Sequence, residues 1–74
     1  MNKKRRKEIA KVVEQLKQSQ NKITQLAEEE RTAYESLPDN LKETDKGLEM
    51  GDNVDFLEAA SEDVESAIGQ LLNI

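Results

Sequence analysis

The spacing of apolar residues predicts an all-α protein: an antiparallel two-helix hairpin that assembles into a helical bundle, either a homodimeric four-helix bundle or a higher oligomer. Two series of positions repeat every seven residues with alternating gaps of three and four, which keeps one stripe of a helix facing one partner helix. The single proline, Pro38, separates the two series. The series are Ile9, Val12, Leu16, Ser19, Ile23, Leu26, Glu30, Ala33 and Leu37, and then Gly47, Met50, Val54, Leu57, Ser61, Val64, Ile68 and Leu71.

The first helix is predicted over residues 2–35. Asn2 is a suitable N-cap, and neither glycine nor proline interrupts the good helix formers that follow. Val13, Ala27 and Tyr34 each lie one residue beyond a member of the repeat, which widens the stripe to three positions in seven. One partner helix leaves that additional edge in water. The pattern therefore indicates a bundle rather than a two-stranded coiled coil.

A link is predicted over residues 36–44. Pro38 stops the first helix, because a proline disfavours helical geometry at the residue before it. Ser36, with an acidic residue three positions later, resembles a capping box and predicts a short helix of one to two turns. Thr44 is the expected N-cap of the second helix, which is predicted over residues 45–72.

The two arms have matching lengths, so the chain reads as one domain, 1–74. If Leu37 faces Gly47 across the link, Ile9 falls opposite Ile74 and both arms end together. Gly47 and Gly51 share one helix face, which indicates either a frayed first turn or a close approach by the first helix or a ligand. The predicted oligomer core comprises Ile9, Val12, Val13, Leu16, Ile23, Leu26, Val54, Leu57, Val64, Ile68 and Leu71.

Three polar residues occupy positions of the repeat where an apolar side chain would stabilise more. Polar groups there can specify register or oligomeric state, provided that they find partners. Ser19 and Ser61 are small enough simply to pack. Glu30 needs a partner, either Arg31 or another neighbour, at a partly wet edge.

Composition argues against an enzyme and for association. A chain of 74 residues without cysteine has neither a large core nor disulfides to stabilise it, so oligomerisation is expected. Without histidine and cysteine, it lacks the commonest general base, the thiol nucleophile and the usual transition-metal ligands. We therefore predict no catalytic residue, no metal site and no cofactor. No apolar run is long enough for a membrane span, so a cytoplasmic protein without a membrane partner is expected.

Charge is divided unevenly along the chain. Residues 1–27 carry eight basic and two acidic side chains, whereas residues 28–74 carry three basic and fourteen acidic ones. Cations at a helix N-terminus oppose the helix dipole, so the basic start needs a nearby anion. That anion is either the acidic second helix or a phosphate-bearing ligand, and duplex DNA is disfavoured by the anionic remainder. The candidate ligand-binding residues are Lys3, Lys4, Arg5, Arg6, Lys7 and Lys11.

The second helix carries the candidate contacts for another protein. From residue 47 onward there is no lysine or arginine, and the acidic residues form either a solvated helix face or a surface for a basic partner. Phe56 lies off the repeat and is either an anchor for a partner or packed at the bundle edge. The predicted partner contacts are Tyr34, Phe56, Glu58 and Glu62.

The chain resembles small helical-hairpin accessory proteins of tailed bacteriophages and prophages, mostly of unassigned function. The resemblance covers nearly the whole chain and lies in segments 2–9, 36–41 and 57–60 and in the Glu-rich stretch before Tyr34. It implies an accessory protein acting in a bacterial host cell, a class that includes inhibitors of host defence. The first hypothesis is therefore a non-enzymatic protein that binds and blocks a host component. The alternatives are an oligomeric sponge for an anionic nucleotide signal and a structural or assembly protein of the phage particle.

Overall fold

The computed structural model describes residues 1–74 and is entirely helical. Helix α1 spans Lys3–Glu35, the short α2 spans Asp39–Lys42, and α3 spans Asp45–Leu72. The all-α class and the two long helices separated by a break after Glu35 are therefore as predicted. No helix contains an apolar stretch of the length that crossing a membrane requires.

Local hydrogen bonds explain where the helices begin and end. The Asn2 side chain accepts a hydrogen bond from the Arg5 amide at 2.8 Å, and Thr44 accepts one from the Gly47 amide at 3.2 Å, so both predicted N-caps are confirmed. The capping box predicted at Ser36 is wrong. Ser36 is the C-cap of α1, and its hydroxyl donates back to the Thr32 carbonyl at 2.7 Å. Helix α2 follows Pro38 without a side-chain cap.

The two long helices lie side by side and run in opposite directions. Near one end, Arg6 donates to the main-chain oxygen of Ile74 at 3.0 Å. Near the other end, the ring of Tyr34 lies next to Gly51. The molecule measures 58 × 14 × 13 Å, so it is a rod barely two helices wide. We call the end that holds α2 the link end and the opposite end the terminal end.

Helix α3 turns the predicted stripe toward α1. Gly47, Val54 and Ile68 are buried, and the other five stripe positions from Met50 to Leu71 are half-buried. Gly47 does not belong to a frayed turn. A β-carbon at this position would overlap the main-chain oxygens of Leu41 and Lys42, so the close approach comes from α2 rather than from α1 or a ligand.

Helix α1 is rotated by one position relative to the predicted stripe. The residues that pack centrally against α3 are Val13, Gln20, Ala27 and Tyr34, each seven residues from the next, together with the half-buried Ile9, Leu16, Ile23 and Glu30. Val13 and Ala27 are 5% and 4% exposed. By contrast, Val12 and Leu26 are 43% and 39% exposed. The edge that looked secondary in the sequence therefore contacts α3, and two predicted core residues lie outside that contact.

The core of the chain is small. Only four apolar residues are buried, and eight large apolar side chains remain exposed. The accessible surface is 5689 Å², whereas a compact monomer of 8.4 kDa exposes about 4,600 Å². The folded chain thus leaves about 1,000 Å² more surface in water than a compact protein of its mass.

Candidate interaction surfaces

The basic start remains largely without anionic partners. Lys3, Lys4, Arg5 and Lys7 form no ion pair, and Lys11 bridges only to Glu8, at 3.6 Å, on its own helix. Their side chains lie along an exposed part of α1. Of the two alternatives for the missing anion, neutralisation by the acidic second helix is therefore not seen for these residues.

Arg6 is the exception within the basic start. Its guanidinium donates to the main-chain oxygen of Ile74 at 3.0 Å and to that of Met1 at 3.4 Å. Arg6 also lines a small apolar groove of about 170 Å³ at the terminal end, together with Ile9, Ala10, Val13, Leu71, Leu72 and Ile74. Arg6 therefore joins the two helices, whereas its neighbours point into solvent.

One side of the helix pair is apolar, and we call it the apolar face. It consists of Val12, Ser19, Leu26 and Ala33 of α1 and Leu57, Ala60 and Ala67 of α3. The two rows lie on the same side, because Leu26 and Leu57 line one shallow groove with Glu29 and Glu30. Phe56, which is 72% exposed, lies at the outer rim of this face, one turn from Ala60.

Glu30 and Asn53 form a polar contact at the link end of the apolar face. The Asn53 side-chain amide donates to the Glu30 carboxylate at 3.4 Å, and both residues are half-buried. Glu30 thus finds a partner on the opposite helix. Arg31, the partner considered from sequence, turns to the other side of the helix pair.

The opposite side of the pair is polar, and we call it the polar face. Arg31 pairs with Glu58 across the two helices and lies 3.9 Å from Glu28 on its own helix. The Thr24 and Ser61 hydroxyls share a hydrogen bond of 3.1 Å. Gln20 donates its side-chain amide to the Ser61 carbonyl at 3.2 Å. These contacts fix the register between α1 and α3. The polar groups that make them are already hydrogen-bonded or ion-paired with one another.

The largest groove, about 410 Å³, opens at the link end of the polar face. Tyr34 forms its floor and packs on Gly51, with its nearest ring carbon 3.5 Å from the position that a β-carbon would take. The Lys42 ammonium lies 5.6 Å from the centre of the Tyr34 ring, which is a cation–π distance. Asp52 and Asp55 line the groove as well, so its rim is anionic.

The four predicted partner contacts do not form one surface. Glu58 and Glu62 line a groove of the polar face together with Thr24, and Glu58 is already paired with Arg31. Tyr34 lies at the link end, half-buried against Gly51. Phe56 projects at the rim of the apolar face. A partner that touches all four would have to wrap around α3.

No three acidic residues converge on a point where they could hold a metal ion, and all four grooves are open to solvent. Every buried side-chain nitrogen or oxygen has a hydrogen-bond partner. The distinctive surfaces are therefore the apolar face, the unpaired cations and the acidic link end.

Sequence reasoning missed the polar contacts between the helices. Gln20, Thr24 and Arg31 occupy two adjacent seven-residue rows on α1, but a polar residue beside an apolar stripe is typical of any solvated helix. Only their pairing with Ser61 and Glu58 shows their role.

No family model matches the chain, and no curated protein or solved structure matches it either.

Proposed function

We propose that this chain is a non-enzymatic helical hairpin that self-associates and binds and blocks a component of a bacterial host cell, as a phage-type counter-defence protein does. The observation that carries the binding role is the excess of exposed apolar surface: four apolar residues are buried and eight large ones are not. Such an excess marks protein interaction sites in soluble proteins. The resemblance to phage and prophage accessory hairpins supplies the biological setting.

Phe56 is the strongest candidate anchor for the host partner. It is the most exposed of the large apolar residues, and aromatic side chains dominate the binding energy of many interfaces. Glu49 and Asp63, each two turns from Phe56 on the same side of α3, would favour a partner with a basic surface. The unpaired cations would lie away from that contact.

The test is affinity capture from a bacterial lysate, followed by mass spectrometry of both the proteins and the released small molecules. We expect one host protein to be retained by the wild type and depleted at least tenfold by Phe56→Ser, since loss of an anchor residue costs about 2 kcal/mol. Ala59→Ser is the matched control, because Ala59 is exposed on the outer side of the same helix. Equal retention by Phe56→Ser and the wild type would contradict the proposed anchor.

The nucleotide sponge is the second candidate, favoured by one specific observation. Lys3, Lys4, Arg5 and Lys7 lack ion-pair partners in the folded chain. None of them lines a groove, so enclosing a nucleotide would require cations from several copies. This requirement makes the sponge the weaker candidate, and a structural role in the particle has no observation of its own.

A thermal-shift series with nucleotide mixtures tests the sponge. Tight binding to the folded state would raise the melting temperature by mass action. Lys4→Ala with Arg5→Ala should abolish that rise, whereas Lys17→Ala with Lys22→Ala, which removes the same charge elsewhere on α1, should preserve it. An unchanged melting temperature in the wild type would exclude the sponge.

A further inference from the structure

We infer that a second copy of this chain covers the apolar face, with its long axis reversed, so that the terminal end of each copy lies over the link end of the other. The inference deepens the self-association that belongs to the proposed function. It specifies which face is buried, the direction of the two rods and the residues that meet.

The surface left exposed is of the size that a dimer needs. The chain shows about 1,000 Å² more surface than a compact monomer of its mass, and a stable interface buries about 800 Å² per partner. The polar face has its cross-helix groups already paired with one another. The apolar face has Val12 and Leu26 still 43% and 39% exposed. The apolar face is therefore the side whose burial against another chain would stabilise the protein.

The row of α1 residues on the apolar face is arranged symmetrically. Arg5, Val12, Ser19, Leu26 and Ala33 are spaced by seven, with Ser19 at the centre. When two α1 helices pack in opposite directions about a two-fold axis at Ser19, Val12 of each copy meets Leu26 of the other. The apolar side chains then cover each other. Ser19, which is exposed and has no hydrogen-bond partner in the chain, meets Ser19 of the second copy.

Helix α3 permits the same packing. Its row on the apolar face contains Ala60 and Ala67, whose small side chains allow another helix to approach closely. The half-buried Leu57 and Val64 lie beside them and would become fully covered. The second copy would thus complete a four-helix bundle with two α1–α3 pairs.

Charge decides between the two possible two-fold arrangements. Residues 28–52, at the link end, carry nine acidic and three basic side chains. Residues 1–14 and 62–74, at the terminal end, together carry six basic and five acidic ones. An axis along the rods would place two strongly acidic link ends together. An axis across the rods instead places each basic start over the acidic link end of the other copy, which supplies the missing anions.

Individual contacts follow from that arrangement. Arg5 of one copy lies over Ala33 of the other, one turn from Glu29 and Glu30 of that copy. On its own helix, the acidic residue nearest Arg5 is Glu8, whose charge is offset by Lys11 at 3.6 Å. Arg5, which has no ion-pair partner within the chain, therefore faces carboxylates of the other copy in the dimer.

Engineered cysteines provide the first test, because the chain has none of its own. Ser19→Cys should form an intermolecular disulfide in a glutathione redox buffer, since the two sulfurs meet at the axis. Asn21→Cys is the control: it is exposed on the same helix but points away from the apolar face. Mixing Val12→Cys with Leu26→Cys should yield predominantly the mixed disulfide.

Charge reversal provides a second, non-covalent test by sedimentation. Arg5→Glu and Ala33→Lys should each raise the dimer Kd, by about two- to fivefold per contact with two contacts per dimer. The double variant should restore the Kd, because the introduced carboxylate of one copy would then face the introduced ammonium of the other.

Three results would count against the inference. A monomer at all concentrations would overturn both it and the proposed self-association. A dimer in which Ser19→Cys links no faster than Asn21→Cys would overturn the reversed packing alone. A double charge variant that dimerises more weakly than either single variant would also overturn the packing. Self-association would still stand in that case, because the protein would remain a dimer.

Discussion

Gly47 is the residue whose lack of a side chain the fold most clearly requires. Helix α2 folds back so that the Leu41 and Lys42 main-chain oxygens occupy the space that a β-carbon of residue 47 would take. This contact positions α2 on the first turn of α3 and closes the link end. Gly69, in contrast, has nothing within 4 Å of that position.

Gly47→Ala should therefore destabilise the protein although alanine is the better helix former. We expect a loss of about 1–3 kcal/mol in the free energy of unfolding, because the overlap involves main-chain atoms that cannot rotate away. Gly69→Ala, the matched control, should gain up to about 1 kcal/mol from helix propensity. Urea unfolding followed by circular dichroism measures both. A Gly47→Ala variant as stable as Gly69→Ala would contradict the close approach of α2.

At the scale of the elements, the start of α3 depends on Thr44. Its side-chain oxygen accepts the Gly47 amide hydrogen bond at 3.2 Å, whereas the Ser36 hydroxyl caps nothing at the start of α2. Thr44→Ala should cost about 1 kcal/mol, and Thr44→Ser should retain most of the stability. Ser36→Ala should change the unfolding midpoint little. Equal effects of Thr44→Ala and Ser36→Ala in chemical denaturation would argue against this assignment of the caps.

The rotation of α1 is the second feature at this scale. Val13 is 5% exposed and Val12 is 43% exposed, although the two residues are adjacent and chemically identical. Val13→Ala should lower the free energy of unfolding by about 1.5 kcal/mol at every protein concentration, since each buried CH₂ contributes about 0.8 kcal/mol. Val12→Ala should cost less than half of that in dilute solution. If Val12→Ala proved the costlier change there, α1 would have the opposite rotation.

At the scale of the whole molecule, a rod with so small a core should depend on association. We expect the apparent melting temperature to rise over a hundredfold range of protein concentration, because association stabilises the folded state. Leu26 is 39% exposed, so Leu26→Asp should leave helices α1 and α3 paired but abolish that concentration dependence. Asn21→Asp adds the same charge on the outer side of α1 and should leave the concentration dependence unchanged. A concentration-independent melting temperature in the wild type would contradict the expectation.

Much of this architecture follows from local rules. Asn2 and Thr44 are good N-caps, and Pro38 breaks the helix. The α3 stripe is clear because the residues that directly follow its members are mostly acidic or glycine. Helix α1 is different: Val12 and Leu26 lie on one edge, Val13 and Ala27 on the other, and both edges are apolar. The sequence pattern cannot show which edge faces α3, because the seven-residue repeat fits either one.

By itself, the sequence determined the helical class, the positions of both long helices and the face that α3 presents, because propensity, capping and a single clear periodicity act locally. Only the tertiary structure decided which edge of α1 meets α3, since that choice depends on how the two helices fit. The small side chain of Ala27 allows the two helices to approach closely. Gln20 and Thr24 hydrogen-bond to Ser61, and Arg31 forms an ion pair with Glu58. These contacts join residues far apart in the chain, and the rotation they fix leaves Val12 and Leu26 exposed.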